Sequence, residues 1–343
     1  MTDIPLILVG DAKDGTISTL RVADGTLEPV ARSGVGVGCA TFAVDQERNL
    51  VYCATKEPEP GIVTLSLDPA TGELREVSRR GTGQHLAYIE LTRRGAVLLA
   101  ASYHGGWGRS WPIADGVLGD PSPTIEHRNL HCVIADAEGK HAYFVSLGDD
   151  LVAQCAIGSD GGLTPLDPPV VSVPAGAGAR HLVLSSDQSS AYLVTEFSGQ
   201  AVRFDREPSS GVLSRAESVD IVDPSAGLSV SRYGADPNAE RLIWGADLHL
   251  AGDERWLLCS ERSASTLASV ALDADGRLGE VVAFTSTETQ PRGFGVAPDG
   301  RHVVVVGEAS GSATLHRVED DGTLTTLDQI ATGAGPNWVR FVG

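Results

Sequence analysis

A single structural unit returns again and again along this chain of 343 residues. It consists of a short strand, a polar turn carrying Asp or Gly, a second apolar strand, a small-residue loop and a third strand. The unit is clearest in PRGFGVAPDGRHVVVVGEASGSATLHRV, which starts at Pro291. It recurs from Ala179, Leu130, Gly245 and Cys39, with a weaker copy from Ala87. Self-similarity at a period of roughly 20–50 residues marks solenoids and propellers, because each unit needs its neighbours to bury its apolar faces. Convincing amphipathic helical windows are scarce, and Gly and Pro punctuate the strands throughout.

Aligning the second strands places Tyr52, Leu99, Tyr143, Tyr192, Leu258 and Val304 at one equivalent position, with separations of 47, 44, 49, 66 and 46 residues. That is the length of a four-stranded blade, with one insertion of about twenty residues between Arg206 and Trp244. Six units are complete and the seventh is split. The C-terminal PNWVRFVG reads as a first strand, and the N-terminal PLILVGDAKDGTISTLRV as a second and third. Joining them closes a ring and removes the open sheet edges of a linear array. The sequence therefore predicts an all-β, seven-bladed β-propeller, one domain over 1–343, its last blade closed by both chain ends.

Composition narrows the function. The formal net charge is −19, with 45 acidic residues against 26 basic. Such a chain repels phosphate backbones and anionic membrane surfaces, so neither nucleic acid nor membrane is an expected partner. No apolar run approaches the ~20 residues that span a bilayer. The segment Met1–Pro5 lacks the basic and apolar regions of a signal peptide, which predicts a cytoplasmic protein. The five cysteines, Cys39, Cys53, Cys132, Cys155 and Cys259, are odd in number and widely spaced, with no CxxC pair. They read as reduced core thiols, not as a disulfide framework or zinc site, and Cys132 carries no nucleophile motif. No cofactor and no metal is expected.

Blade geometry then locates the chemistry. Strands alternate direction, so the start of each innermost strand and the end of each second strand share one face of the ring. The first register gives Ala40/Thr41, Ala87/Tyr88, His131/Cys132, Arg180/His181, Ala246/Asp247, Arg292/Gly293 and about Asn337 and Trp338. The second gives Asp11, Lys56, Tyr103, Leu147, Glu196, Arg262 and Glu308, with His104 beside Tyr103. Arginines, histidines and carboxylates from distant sequence positions should thus meet at one mouth of the channel. Any one of them has a plainer use: blade-end Arg–Glu pairs stitch neighbouring blades, histidines satisfy turn carbonyls, and His104 can shape a tight turn. The concentration of these residue types at one mouth is what points to a site.

Several blocks resemble a known family. TETQPRGFGVAPDGRHVVVVGEASG (Thr287–Gly311) is similar to a block of the bacterial 6-phosphogluconolactonases of seven-bladed propeller fold. GAGARHLVLSSDQSSAYLVTE (Gly176–Glu196) resembles that family's Gly-Pro-Arg-His strand ending in Asn-Glu. WGADLHLAGDERWLLCSERSAS (Trp244–Ser265) resembles its Ala-Asp-Ile-His block followed by Arg. SYHGG (Ser102–Gly106) and GAGPNWV (Gly333–Val339) add to the set. Ala179 stands where proline is usual, and Glu261 where Asn or Asp is common. Trp107–Asn129 matches nothing, and Trp107, Trp111 and His127 are expected at the pocket rim, where substrate choice is set.

The resemblance implies a metal-independent lactonase acting on a small anionic lactone, with 6-phosphogluconolactone first. Glucaro- or galactaro-lactone hydrolysis, a lactonising cycloisomerase and a protein-binding propeller scaffold are the alternatives. The family includes a fungal carboxymuconate lactonising enzyme whose His, two Arg and Glu match His131, Arg180, Glu196 and Arg262, the expected catalytic set. Glu196 or His131 would serve as base, Arg180 and Arg262 as anion and oxyanion binders, and His181 or His131 as acid. His181, Tyr103, His104, Asp247 and Arg292 are expected to bind substrate.

Overall fold

The computed structural model describes residues 5–92 and 95–342. The segment behind the cytoplasmic expectation therefore lies, but for Pro5, outside the described residues. The chain forms seven antiparallel sheets. Blade 1 joins Pro336–Val342, innermost, to Leu6–Asp11, Thr16–Ala23 and Thr26–Gly34. Blades 2 to 7 follow in order over residues 42–81, 88–126, 130–172, 179–220, 245–286 and 291–331. Their innermost strands contact one another in sequence around the ring, the last against the C-terminal strand of blade 1. The closure by both chain ends is as expected, with Leu8 opposite Arg340.

Local chemistry explains the register. Each second strand is six residues long, and Leu8, Tyr52, Leu99, Tyr143, Tyr192, Leu258 and Val304 all take its third position. These strands are buried on both faces because blades stack against one another, so they read as short continuous apolar runs. The fourth strands face solvent and alternate, as in Leu213–Asp220. Asp24-Gly25 and Asp115-Gly116 have positive φ at both residues, the tight hairpin turn that follows the twist of the flanking strands.

Hydrogen bonds stitch blade to blade. The hydroxyls of Tyr52, Tyr143 and Tyr192 donate to the carbonyls of Gly116, Gly211 and Gly276, each in the outer turn of the next blade, at 3.0, 2.5 and 2.6 Å. Thr19 and Ser110 do the same to Gly72 and Gly161. Buried tyrosine thus contributes its ring to the core and its hydroxyl to the ring closure.

One expectation changes. Trp107 and Trp111 do not sit at the rim. They lie in the third strand of blade 3, Trp107–Ala114, 7% and 1% exposed, their rings 6.4 Å apart inside a hydrophobic cluster. That blade's outer strand is broken into Val117–Leu118 and Ile125–Glu126, which is why its sequence departs from the repeat. The predicted insertion occupies 221–244, between blades 5 and 6, and holds a 3-10 turn (Pro224–Ala226) and one helical turn (Pro237–Glu240). All five cysteines are free and buried.

Candidate active site

One backbone device builds the mouth of the channel. In blades 4, 5 and 7, a β-bulge leaves one extra residue near the start of the innermost strand, and that residue is His131, Arg180 or Arg292. Blade 1 does the same with Asn337, and blade 6 carries its extra residue between Gly245 and Leu248. A bulge takes a residue out of the sheet ladder and re-aims its side chain. Facing these, the residue after the second strand of blades 1, 2, 4, 5, 6 and 7 donates its backbone N–H to the loop leading into the innermost strand. Lys56 bonds Val37, Glu196 bonds Gly178, Arg262 bonds Trp244 and Glu308 bonds Gln290. Both registers are therefore fixed by main-chain bonds before any side chain is considered.

A cavity of about 240 Å³ results, lined from all seven blades. Blades 1 and 2 supply Asn337, Trp338, Ala40 and Lys56; blade 3 and the loop before it supply His85, Ala87, Tyr103 and His104. His131 comes from blade 4, and Arg180, His181 and Glu196 from blade 5. Trp244 and Arg262 belong to blade 6 and its approach, and Arg292 to blade 7. The lining holds four cationic side chains (Lys56, Arg180, Arg262, Arg292) and one carboxylate, inside a chain of net charge −19.

The centre is a shared carboxylate. Nε of Arg180 and Nη2 of Arg262 both donate to Oε2 of Glu196, each at 2.9 Å. Arg180 and Arg262 are 1% and 2% exposed, and such burial is tolerable only when the other donors are met. Arg180 gives Nη1 to the carbonyl of Ala246 and, at 3.2 Å, to Nε2 of His181. Arg262 gives Nε to Trp244 O at 3.2 Å and Nη2 to Gly245 O at 3.1 Å, with its guanidinium 3.8 Å over the Trp244 ring. Burial opposes ionisation of Glu196, but Arg262 and then Arg180 outweigh it and hold the carboxyl below its usual range.

Two histidines stay neutral beside this group. Burial and then the Arg180 charge bring His181 down to about 4 and push His131 well below the usual imidazole range. Nδ1 of His131 is buried with no hydrogen-bond partner among the described residues. A buried N–H left unmet is rarer than a buried lone pair left unmet, so the ring proton belongs on Nε2 and His131 is a donor from that atom. Tyr103 packs edge-on to His131, 5.7 Å between centroids, and burial followed by the Glu196 charge raises its phenol to about 12, so it remains protonated.

Of the expected residues, His131, Arg180, Glu196, Arg262, His181, Tyr103, His104 and Arg292 line this cavity. Asp247 does not. Its carboxylate is turned behind His181, accepting from Nδ1 of that ring at 2.7 Å and from the N–H groups of Leu248 and Phe294 at 3.0 and 3.3 Å. It touches the site through His181 and is not positioned to bind substrate. His181 borders the cavity, yet both its nitrogens are engaged, one by Asp247 and one by Arg180.

Three second-register residues also fall elsewhere. Asp11 is the last residue of its strand, with Ala12 in the equivalent place, and its carboxylate takes the hydroxyls of Ser18 and Thr16 at 2.7 and 3.1 Å. Leu147 lines a separate groove with Phe197 and Tyr233. Glu308 meets Arg292 at 3.5 Å. His85 and Trp244 were not anticipated, because both lie in loops before the innermost strand, outside the two-residue register. Among the described residues no group of three His, Cys, Asp or Glu side chains is arranged to hold a metal ion.

Comparison with known proteins fits this architecture. Residues 7–341 match the family model described as lactonase, 7-bladed beta-propeller. The chain is 30% identical to a 6-phosphogluconolactonase of Serratia proteamaculans, covering 98% of both chains. It is 29% identical to one of Sodalis glossinidius, over 88% of this chain and 87% of that one. Among solved structures, a periplasmic gluconolactonase of Pseudomonas aeruginosa superposes with a TM-score of 0.86 at 25% identity, covering 99% of each chain.

Proposed function

The chain belongs to the seven-bladed β-propeller lactonases, and from that premise we propose that it hydrolyses 6-phosphogluconolactone to 6-phosphogluconate in the cavity around Glu196. The relatives at 29–30% identity are 6-phosphogluconolactonases, which supports the choice of substrate. The observation that carries the mechanism is the pair of guanidiniums sharing one oxygen of Glu196.

Water must add to the lactone carbonyl, the ester bond to the ring oxygen must break, and the ring oxygen must receive a proton. Glu196 is the carboxylate of the cavity, and its Oε1 is not used by either arginine. It takes the proton of the attacking water. At rest the two arginines make it a weak base. As negative charge develops on the carbonyl oxygen, that oxyanion competes for the same guanidiniums, and the basicity of Glu196 rises in step with bond formation. One donor to such an oxyanion is commonly worth about 3–4 kcal/mol. The departing ring oxygen receives the proton that Glu196 took from water, while His131, neutral with its proton on Nε2, hydrogen-bonds that oxygen as charge builds on it. His181 takes no proton-transfer role, because both of its nitrogens are occupied.

The test is turnover of 6-phosphogluconolactone beside unphosphorylated gluconolactone and an aldarolactone, each corrected for spontaneous hydrolysis. The expected result is acceleration of all that bind, largest for the phosphorylated lactone, and loss of about 10²–10⁴-fold in kcat for Glu196→Gln with an unchanged melting temperature. No acceleration above background with any lactone would overturn the reading.

A further inference from the structure

The cavity is electrostatically two-sided. On the side of blades 5 and 6, two of its four cations are committed to Glu196. On the side of blades 2 and 7, Lys56 makes no ion pair among the described residues, and Arg292 has only Glu308, at 3.5 Å and partly exposed. These two cations are the charge left to meet a ligand.

Both are placed by the backbone. Lys56 follows the second strand of blade 2 and is anchored by its N–H to the Val37 carbonyl at 2.8 Å. Its stem lies against Gly38, where φ is +83° and a Cβ would come within 2.6 Å of the Lys56 Cγ. Only a residue without a side chain leaves that path open, so the lysine is directed along it. Arg292 occupies the bulge of blade 7 and is aimed at the channel by it. His85 stands within the field of both, and after burial the Lys56 charge is the largest influence holding its imidazole neutral. The Arg292 charge also acts on His131 and Glu196, so it reaches both halves of the cavity.

We propose that Lys56 and Arg292 form the phosphate subsite of the enzyme, holding the 6-phosphate of the lactone while its carbonyl faces Glu196 and His131. They are specificity-determining residues, and the proposal rests on the substrate reading given above. A phosphate dianion suits the pair, since two unpaired or loosely paired cations match its charge, whereas a neutral lactone leaves both desolvated without return.

The experiment compares the unaltered enzyme with Lys56→Met and Arg292→Met. It measures kcat and KM on 6-phosphogluconolactone and on unphosphorylated glucono-1,5-lactone, and inhibition by inorganic phosphate. Each variant is expected to lower the ratio of kcat/KM for phosphorylated over unphosphorylated lactone by at least about tenfold, mainly through KM. Competitive inhibition by phosphate should weaken by a similar factor. Variants that preserve the ratio, or that depress both substrates equally, overturn the subsite while leaving the substrate reading standing. An unaltered enzyme with no preference for the phosphorylated lactone overturns both. Melting curves confirm that each variant is folded; Lys56 is exposed, so its replacement is expected to be tolerated.

Discussion

His181 in blade 5 donates its Nδ1 proton to Oδ1 of Asp247 in blade 6 across 2.7 Å, with the two side chains 4% and 9% exposed. Burial opposes the Asp247 charge, but His249 and His181 more than offset it and keep the carboxyl well below its usual range. An ionised Asp247 can only accept, so His181 must carry its proton on Nδ1 and present a lone pair at Nε2. That lone pair receives Nη1 of Arg180. Tyr88 and Trp338 pack edge-on to the same imidazole, at 5.3 and 6.1 Å. A chain of contacts therefore runs from Asp247 through His181 and Arg180 to Glu196, and fixes the guanidinium that the proposed oxyanion must meet.

Asp247→Asn breaks that chain at its far end. An amide can present N–H to Nδ1, which favours the other tautomer and puts a proton on Nε2 facing Arg180. The expected result is a fall in kcat of about 10²-fold, the cost of a misplacement near 1 Å, with KM moving much less. Nitrogen-15 shifts of the His181 ring should report the changed tautomer. An unaltered kcat together with a changed tautomer would remove Asp247 from its positioning role.

The rate should lack an acid limb near the ordinary imidazole value. His131 must be neutral and Glu196 ionised, and both are held well below, or below, their usual ranges, 6.5 and 4.5 respectively. Lowering the pH from 7 to 5 therefore leaves both in their working states. On unphosphorylated glucono-1,5-lactone, which has no phosphate to titrate, background-corrected kcat/KM is expected to change by less than about twofold over that interval. A tenfold decline with a midpoint near 6.5 would show that His131 titrates normally and that the assigned field is wrong.

How much of this was legible depends on which force placed each residue. The blades were legible because their second strands are buried on both faces, so Tyr52, Tyr143 and Tyr192 announce the period by composition alone. His131, Arg180, Glu196 and Arg262 were legible because repeating backbone bonds fix their register. Asp247 was misread because register gives the face of a residue and not the direction of its carboxylate, which a neighbouring imidazole captured. His85 and Trp244 escaped because loops before the innermost strands carry no period. Trp107 and Trp111 were misread because a broken outer strand hid the blade that buries them.

Ring closure rests partly on single hydroxyls, and Tyr143 is the most exacting. Besides donating to Gly211 O, it accepts Nε of Arg206 at 2.6 Å. Arg206 is 4% exposed and also meets Asp136 at 2.7 Å. Tyr143→Phe would leave a buried guanidinium N–H and a glycine carbonyl unmet, at a cost of about 1–3 kcal/mol for the carbonyl and more for the charged group. Chemical denaturation should register that loss while kcat remains that of the unaltered enzyme. A stability within 0.5 kcal/mol (roughly the scatter of surface substitutions) would mean that water replaces the hydroxyl.

Acid should unfold the ring from its histidines first. Burial is the leading cause that brings His85, His181 and His316 to about 4, and it takes His131 lower. In the unfolded chain the same groups bind protons at about 6.5. Between pH 6.5 and 4 the unfolded state thus holds more protons, so the stability these residues contribute is complete above 6.5 and is lost as the pH falls. For His316, 1% exposed, the slope approaches about 1.4 kcal/mol per pH unit in the middle of that window. Glu90 has the opposite sign: burial raises it to about 7, so it adds stability as the pH drops from 7 to its unfolded value of 4.5. Four depressed histidines outweigh the two raised carboxyls, Glu90 and Asp11, and the melting temperature is expected to fall from pH 6.5 to 4.5. The fall should be shallower in His316→Gln and steeper in Glu90→Gln. A melting temperature that rises on acidification, or His316→Gln and Glu90→Gln curves parallel to the unaltered enzyme, would contradict the assignment.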